Sequence, residues 1–443
     1  MEQHAPSRRR SPLIWVVSAY FAEGIPFALV IWVAGTLFKD LGHSDGEITM
    51  ATASIGLAWS LKPLWAATLD MWKSKRFFVL GTEYGMALLL LLCALSLRLP
   101  FYFQALVALL WVLAFASATQ DICVDGIYIT ALDAKEQARY IAFQSIGWNT
   151  GRIFATAVLV WLVGTLKAEL GLAAVTAWTY ALVAAALIFL LLALYHGVVL
   201  PAGSRAVAPE GLRAAGRTFM AAGADFLRKP QLAGMLVFVF LYRSGEGFLL
   251  VEAPLFLQAP LHEGGAGLSL IEKGWIDGTI GTTVTIVAGM LGGAFVAKRG
   301  LPRALFWMAL AMNVPHVCFV YLSQHVSVEQ PLTFTTIATL VGIEKFGYGF
   351  GFVANMLYMM QQIAPGKYLM THYAICTALM NLVLVPTQMA SGPLAERLGY
   401  KGFFVFVMLA SIPSVIAAWF APFPQSVSSA EAEEPLPGNA RAH

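Results

Sequence analysis

The sequence contains little charge. Of its 443 residues, 12% are Asp, Glu, Lys or Arg, whereas 58% are hydrophobic, and the mean hydropathy is +0.71. Because soluble globular domains carry about 25% charged residues, this composition excludes a soluble protein and indicates an integral membrane protein. The net charge of +3 comes mostly from Lys and Arg at the ends of apolar runs. That distribution fits orientation in a lipid bilayer and argues against nucleic-acid binding.

Motifs typical of enzymes and metal sites are also missing. The sequence has no Walker A motif for ATP and no His-Glu-x-x-His motif for zinc, and most of its eight histidines fall in predicted loops or tails. Its cysteines are Cys93, Cys123, Cys318 and Cys376, which stand singly in apolar segments without metal or redox spacing. We therefore expect a protein that is not an enzyme and that uses no cofactor and no metal.

Long apolar runs dominate the sequence. Windows of about 20 apolar residues are long enough to cross a bilayer as helices, and they predict an all-α membrane protein of about twelve spans in two groups of six. The predicted spans 1 to 12 are residues 12–38, 47–69, 76–98, 101–131, 140–165, 172–199, 230–258, 272–297, 303–323, 330–363, 369–395 and 402–421.

The two groups of spans predict a domain organisation. We expect six-helix bundles at residues 12–199 and 230–421, joined by a linker at residues 200–229 whose basic and apolar residues recur at the spacing of an interfacial helix. Residues 1–11 and the Pro-, Ser- and Glu-rich tail at 422–443 are expected outside the bundles, the tail being disordered. Because most loop Lys and Arg fall on the side of the linker, both termini are predicted to be cytoplasmic.

The two groups of spans share weak similarities at equivalent positions. Tyr20–Gly24 in span 1 resembles Tyr242–Gly247 in span 7, and residues 140–149 in span 5 resemble residues 373–381 in span 11. Charged turns also follow both span 2 and span 8. Two six-helix repeats related by an axis along the membrane normal are the layout of the major facilitator superfamily, which is the fold we expect.

Ionisable and polar side chains lie deep in several predicted spans. Such residues cost a few kcal/mol in a bilayer and usually face a bundle interior or an aqueous cavity. The candidates for proton coupling or a solute cavity are Glu23, Asp121, Asp125, Asn149, Arg152, Arg243, Glu246, Glu344 and Asn381. Each also has a structural alternative: an acid can brace a helix, and an arginine can pair with an acid instead of an anionic solute.

Several motifs resemble those of one transporter family. Ser60–Asp70 and Ala118–Asp125 look like signatures of the peptide–acetyl-CoA–drug transporter family. Phe346–Gly351 and Thr371–Ile375 are similar to the AmpG muropeptide permeases of that family, whereas Tyr20–Pro26 is closer to its acetyl-CoA transporters. The resemblance covers nearly all twelve spans and implies a secondary transporter of the bacterial inner membrane.

This resemblance implies inward transport of a polar anionic solute, with an anhydro-muropeptide as the first expectation and acetyl-CoA or a ferric siderophore as alternatives. In the absence of an ATP motif, we expect protons to drive it, since one charge crossing about 100 mV supplies about 2.3 kcal/mol. The expected partners are therefore the small-molecule solute, protons and the lipid bilayer. An intramembrane enzyme and a solute sensor without transport are the alternatives of another class.

The expected mechanism is alternating access, in which two halves rock around a site between spans 1, 4, 5, 7, 10 and 11. Charge pairs at a cytoplasmic gate would break as the halves move. The predicted gate residues are Lys62, Asp70, Lys73, Arg76, Lys298 and Arg299.

Overall fold

The computed structural model describes residues 11–72, 74–202 and 212–425. In this part of the chain, ten helices are long and apolar enough to cross a membrane. They are Leu13–Asp40, Lys75–Ser96, Tyr102–Ala131, Arg139–Leu170, Ala174–Val199, Leu232–Gln258, Leu270–Arg299, Leu301–His325, Phe334–Ile363 and Thr371–Trp419.

The difference from twelve predicted spans has two causes. Predicted span 2 is broken into three short helices: Asp45–Thr52, Leu57–Ser60 and Pro63–Trp72. Predicted spans 11 and 12 are joined in one helical element, Leu369–Ala410, which continues as Ile412–Trp419. Within that element Gly399 adopts φ 63° and ψ 160°, a conformation that favours glycine and turns the chain between the two spans. All twelve predicted segments are therefore helical.

Local sequence explains where several helices begin. In a capping box, a Ser, Thr or Asp side chain accepts from a backbone N–H three residues later, and a Glu there reaches back. Three such boxes are present: Ser44 with Glu47, Asp133 with Glu136, and Ser269 with Glu272. They start spans 2, 5 and 8 at the points where the chain re-enters the helical bundle.

We call residues 11–202 the first half and residues 232–425 the second half. Each half has its own apolar core; Trp178 and Phe189 are buried in the first, and Tyr358 and Phe404 in the second. Between the halves, the linker contains the helix Leu212–Leu227. This helix packs against the last part of span 2 and against span 11.

Since each half contains an even number of spans, residue 11, the linker helix and residue 425 lie at one end of the molecule. We call this the terminal end, and the end that contains Asp40 and Asp45 the opposite end. The linker helix buries Ala222 and Phe226, whereas Met220 remains 73% exposed. Its contact with a membrane surface stays a prediction.

Wide helical turns of the π type interrupt four spans at Leu29–Val33, Phe154–Leu159, Gly274–Gly281 and Met359–Ile363. Such turns are frequent at functional sites. The segments in spans 5 and 8 pack against each other across the two halves. A Cβ atom on Gly278 would lie 2.6 Å from the Cβ of Ala157, so glycine is required for this close approach.

Candidate functional site

A cavity of about 400 Å³ lies between the two halves. Spans 1, 2 and 5 form one wall, and spans 7, 8, 10 and 11 form the other. Small-molecule sites typically have volumes of about 300–1,000 Å³. The lining side chains with rings, charge or amide groups include Trp32, Trp59, Trp148, Arg152, Arg243 and Asn381. The cavity thus combines aromatic faces with two guanidinium groups at the boundary of the halves.

Arg152 reaches this cavity from span 5. Its guanidinium carbon lies 4.3 Å from the centre of the Trp32 ring, a distance typical of cation–π contact. The Nε atom is buried without a hydrogen-bond partner, and among the described residues Arg152 makes no ion pair. A guanidinium presents donors that match carboxylate or phosphate oxygens. Arg152 is therefore a cation available to an anion that enters the cavity.

Arg243 also lines the cavity, but its charge is neutralised. It lies at a break in span 7, between the helices Leu232–Leu241 and Ser244–Gln258. Its Nε donates to Glu246 Oε2 at 2.6 Å, and its guanidinium stacks over Phe352 at 5.0 Å. Arg243 and Glu246 thus form a nearly fully buried pair, and among the described residues Arg243 makes no ion pair with an acid of the first half.

A second, smaller cavity of about 60 Å³ adjoins the first one and shares Arg152 with it. Lys273 and Lys345 line it, and each of them pairs with an acid within four residues in the sequence. Lys273 lies 2.9 Å from Asp277 and Lys345 lies 3.0 Å from Glu344. These pairs add no net charge, so the predicted candidate Glu344 contributes to a local ion pair beside the cavity.

The acids of span 4 lie together with polar groups of neighbouring spans. Asp121 contacts the ammonium group of Lys62 in span 2 instead of Arg152. Asp125 accepts a hydrogen bond from the Tyr20 hydroxyl at 2.6 Å. We call Asp121, Asp125 and Lys62, with the nearby Glu23, the acidic cluster of the first half. Lys62, which we predicted at the cytoplasmic gate, therefore belongs to this cluster.

Glu23 also belongs to this cluster. Its side chain is 7% exposed, and Oε2 has no hydrogen-bond partner among the described residues. The nearby charged groups are those of Asp125 and Lys62. Span 1 approaches span 5 closely here. Glycine at position 24 permits this approach, because a Cβ atom there would clash with the Trp148 carbonyl oxygen. Glu23 is thus a buried acid with an unused oxygen beside a lysine and a second acid.

The predicted gate residues have mixed placements. Arg76 donates from its guanidinium to the Gly197 carbonyl, which ties span 3 to span 6 within the first half. Arg299 stacks on Phe295 of its own helix at 5.6 Å, and Lys298 precedes it in the last turn of span 8. The remaining two gate residues are Asp70, whose side chain lies outside the description, and Lys73, which lies outside the described residues.

The two asparagine candidates differ in position. Asn149 donates to the Ser145 carbonyl of its own helix at 2.9 Å. Asn381 lines the cavity and donates to the Ser60 hydroxyl of the other half at 3.2 Å. Only the second asparagine makes a hydrogen bond between the halves.

Hydrogen bonds join the two halves at the opposite end. Gln258 donates to the Thr36 carbonyl at 3.0 Å. The Gly46 N–H donates to Glu396 at 2.7 Å, so an acid of the second half satisfies the first turn of a first-half helix. These contacts join the two halves at the opposite end.

Sequence reasoning missed a buried polar network within the first half. Glu83, Gln120 and His196 are 0% exposed. Glu83 Oε1 lies 2.7 Å from His196 Nδ1 and accepts from Gln120 at 2.9 Å. His196 lies in predicted span 6, and the helix there extends to Val199. The signal that could have located this network is the acid Glu83 in the middle of an apolar span.

Comparison with known proteins identifies the relatives of this chain. The model of the Major Facilitator Superfamily matches residues 16–374. The putative transporter AmpG 4 of Rickettsia conorii is 23% identical over 413 residues, which cover 89% of this chain and 92% of that protein. The anhydromuropeptide permease of Escherichia coli K12 is 25% identical over 416 residues, which cover 92% of this chain and 78% of that protein.

Solved structures share the fold. A bacterial homologue of the human lysosomal transporter Spinster, in an inward-facing and unoccupied conformation, aligns with a TM-score of 0.71 and 17% identity, covering 96% of this chain and 99% of that one. The nucleoside transporter NupG aligns with a TM-score of 0.66 and 14% identity, covering 92% of this chain and 98% of that one. The chain is a multi-pass membrane transporter of a small-molecule solute, not an enzyme, and it belongs to the Major Facilitator Superfamily.

Proposed function

We propose that this transporter imports an anionic, sugar-containing solute of the anhydro-muropeptide class across a bacterial inner membrane. The observation that carries the proposal is Arg152, a guanidinium in the cavity between the halves that makes no ion pair among the described residues. A peptide carboxylate suits this group because a guanidinium can donate two parallel hydrogen bonds to it. Trp59 and Trp148, which line the same cavity, offer flat apolar faces for sugar rings.

The same proposal includes alternating access and an orientation. The positive-inside rule places the terminal end in the cytoplasm, so that both termini are cytoplasmic. The contacts of Gln258 with Thr36 and of Glu396 with Gly46 then close the periplasmic side. The described conformation corresponds in this scheme to the inward-facing state, from which the solute is released.

We assign proton coupling to the acidic cluster of the first half. Glu23 supplies a buried carboxyl whose Oε2 has no hydrogen-bond partner in the described part of the chain. Lys62 lies near Glu23 and contacts Asp121 of span 4. A proton that binds Glu23 removes its attraction to Lys62, which strengthens the pairing of Lys62 with Asp121. Rearrangement of these charges between spans 1, 2 and 4 would couple the proton gradient to the rocking of the halves.

Uptake into proteoliposomes tests the proposal. We expect labelled anhydro-muropeptide to accumulate when an inward proton gradient is imposed, and unlabelled muropeptide to compete better than CoA esters or ferric siderophores. Arg152→Gln should lower uptake at least about tenfold, since a hydrogen bond to a charged group contributes about 1.5–3 kcal/mol. Arg139→Gln, at an exposed position near the start of the same helix, is the matched control and should transport normally.

Three results would contradict the proposed function. Preferential uptake of a CoA ester or a siderophore would reassign the solute. Binding of the solute without accumulation under any gradient would favour a sensor. Full muropeptide uptake by Arg152→Gln would remove the residue on which the assignment depends.

A further inference from the structure

The opposite end contains a charge cluster that the proposed solute site and coupling site do not use. Lys39 Nζ lies 2.9 Å from Asp45 Oδ1, and the Tyr400 hydroxyl donates to Asp45 Oδ2 at 2.6 Å. Glu252 of span 7 lies beside Asp45 and Ser391. Lys39 and Asp45 belong to the first half, whereas Glu252 and Tyr400 belong to the second, so the cluster bridges the halves.

Glu252 lacks the partners that a buried carboxylate requires. Its side chain is 0% exposed, and neither carboxyl oxygen has a hydrogen-bond donor among the described residues. An ionised acid left in this state is strongly disfavoured, because desolvation is not compensated by hydrogen bonds. One proton on the carboxyl group changes this balance: it removes the charge and supplies an O–H that can donate to Asp45.

Counting charges leads to the same requirement. Asp45 and Glu252 bring two negative charges into the cluster, and Lys39 brings one positive charge. The Lys39 ammonium also lies 3.9 Å from Glu263, so it is shared with a third acid. When two carboxyl groups occupy one buried site, their mutual repulsion favours retention of a proton by one of them. With one bound proton, Lys39, Asp45 and Glu252 together are neutral.

Solvent at the opposite end can reach this cluster. A cavity of about 460 Å³ opens there and is lined by Lys39, Asp45, Glu263, Glu396 and Tyr400. It is separate from the central cavity, whose lining includes neither Asp45 nor Tyr400. Protons therefore have a route to Asp45 from the opposite side while the halves are in contact.

We propose that Asp45 and Glu252 form a proton-binding site that fastens the two halves together at the opposite end. The inference rests on the proposed alternating access. With the proton bound, the Glu252 O–H donates to the Asp45 carboxylate across the boundary. When the proton passes to water, two carboxylates face each other across the same boundary, and their repulsion opens this end. The site thus makes opening toward the opposite side dependent on release of a proton.

Two other titratable groups, Glu396 and His43, line the same cavity as Asp45. Glu396 accepts from the Gly46 N–H at 2.7 Å and also bridges the halves. His43 contacts Glu47 at 3.1 Å and the Tyr102 hydroxyl at 2.7 Å, all within the first half. Because His43 also lines the cavity at the opposite end, it is the group that an experiment must separate from the proposed pair.

Distance measurements between the halves test the site directly. Leu99→Cys and Val328→Cys provide attachment sites for spin labels at exposed positions of the two halves at the opposite end. The four native cysteines are buried, which limits labelling at those positions. In lipid nanodiscs without solute, we expect the population with long distances to rise about tenfold or more between about pH 5 and about pH 9, since a pKa difference of one unit between two states shifts their ratio tenfold.

Substitutions assign the response to the pair. In Glu252→Gln the amide N–H₂ donates to Asp45 at every pH, so the opposite end should stay closed and the pH response should disappear. Asp45→Asn is a second variant with the same expected loss of response, in case the first does not fold. His43→Gln is the matched control and should keep the wild-type response.

Two outcomes would overturn the inference. One is a wild-type distance distribution that does not change with pH; the other is a pH response retained in full by either variant of the pair. These measurements need no solute, so a failure of muropeptide uptake leaves them valid. Muropeptide uptake by a protein whose opposite end ignores pH would refute this site alone and leave the proposed function standing.

Discussion

The two halves neutralise their buried charges in different ways. In the second half, each pair around the central cavities joins sequence neighbours: Arg243 with Glu246 at 2.6 Å, Lys273 with Asp277 at 2.9 Å, and Lys345 with Glu344 at 3.0 Å. These residues are one to four positions apart on their own chain segments. Such pairs can persist while helices move, because both members move together.

In the first half, the corresponding contacts join different spans. Lys62 of span 2 contacts Asp121 of span 4, the Tyr20 hydroxyl of span 1 donates to Asp125 of span 4, and His196 of span 6 contacts Glu83 of span 3. Arg152 makes no ion pair among the described residues. The comparison teaches that, around the central cavities, the charges able to exchange partners during a conformational change lie in the first half, whereas those of the second half are held in local pairs.

The largest expected effect comes from breaking a local pair. Arg243→Gln should destabilise the protein by about 3–5 kcal/mol, because removal of one partner leaves Glu246 as an uncompensated buried charge. Thermal unfolding in detergent measures this loss. The double variant Arg243→Gln with Glu246→Gln removes both charges and should recover most of the stability. A single variant as stable as the wild type would show that this pair is not structural.

The next effect separates coupling from solute binding in the first half. Glu23→Gln cannot exchange a proton, so gradient-driven accumulation should fall at least about tenfold while exchange of labelled for unlabelled solute continues, and Asp121→Asn should behave likewise. Both activities are measured in the same proteoliposomes. Glu169→Gln, at an exposed position at the end of span 5, serves as the control. Normal accumulation in both variants would exclude the acidic cluster from coupling.

How far the sequence predicts this site depends on the separation of its residues. The pairs Arg243–Glu246 and Glu344–Lys345 could be anticipated because their members are only three and one positions apart in the sequence. The contact of Lys62 with Asp121 could not, since it depends on how spans 2 and 4 pack. The proximity of Asp45 to Glu252 was missed for the same reason.

The fold was easier to predict from the sequence than the site, because the length of an apolar run alone indicates a membrane span. The interruption of span 2 was not anticipated, although Pro63, which lacks a backbone N–H, marks the start of its last helix. Spans 11 and 12 were predicted as separate segments, and in the structure the turn at Gly399 separates two helices there. The interruption of span 2 is a backbone detail that hydropathy does not record.

A smaller effect tests the geometry of the free guanidinium. Arg152→Lys keeps the positive charge but loses the planar contact with Trp32, which lies 4.3 Å from the guanidinium. Cation–π contacts contribute about 0.5–2 kcal/mol, so the KM for uptake should rise about 2- to 30-fold. An unchanged KM would mean that charge alone determines binding, and a loss as large as that of Arg152→Gln would mean that lysine cannot substitute at all.

The smallest effect concerns a polar residue of span 5 that bonds only locally. Asn149 donates to the Ser145 carbonyl of its own helix, so Asn149→Ala should change uptake by no more than about twofold. Initial uptake rates at several solute concentrations provide the measurement. A tenfold loss would place Asn149 in the solute site. It would show that a side chain with a hydrogen bond to its own helix can also contribute to solute binding.

Equilibrium binding tests most directly the claim that the unpaired guanidinium, and not the paired one, holds the anionic solute. Calorimetric titration of anhydro-muropeptide into detergent-solubilised protein should give saturable binding for the wild type and at least about tenfold weaker binding for Arg152→Gln. The double variant Arg243→Gln with Glu246→Gln should bind within about threefold of the wild type, since the pair carries no net charge. Equal affinity of Arg152→Gln and the wild type would contradict the account.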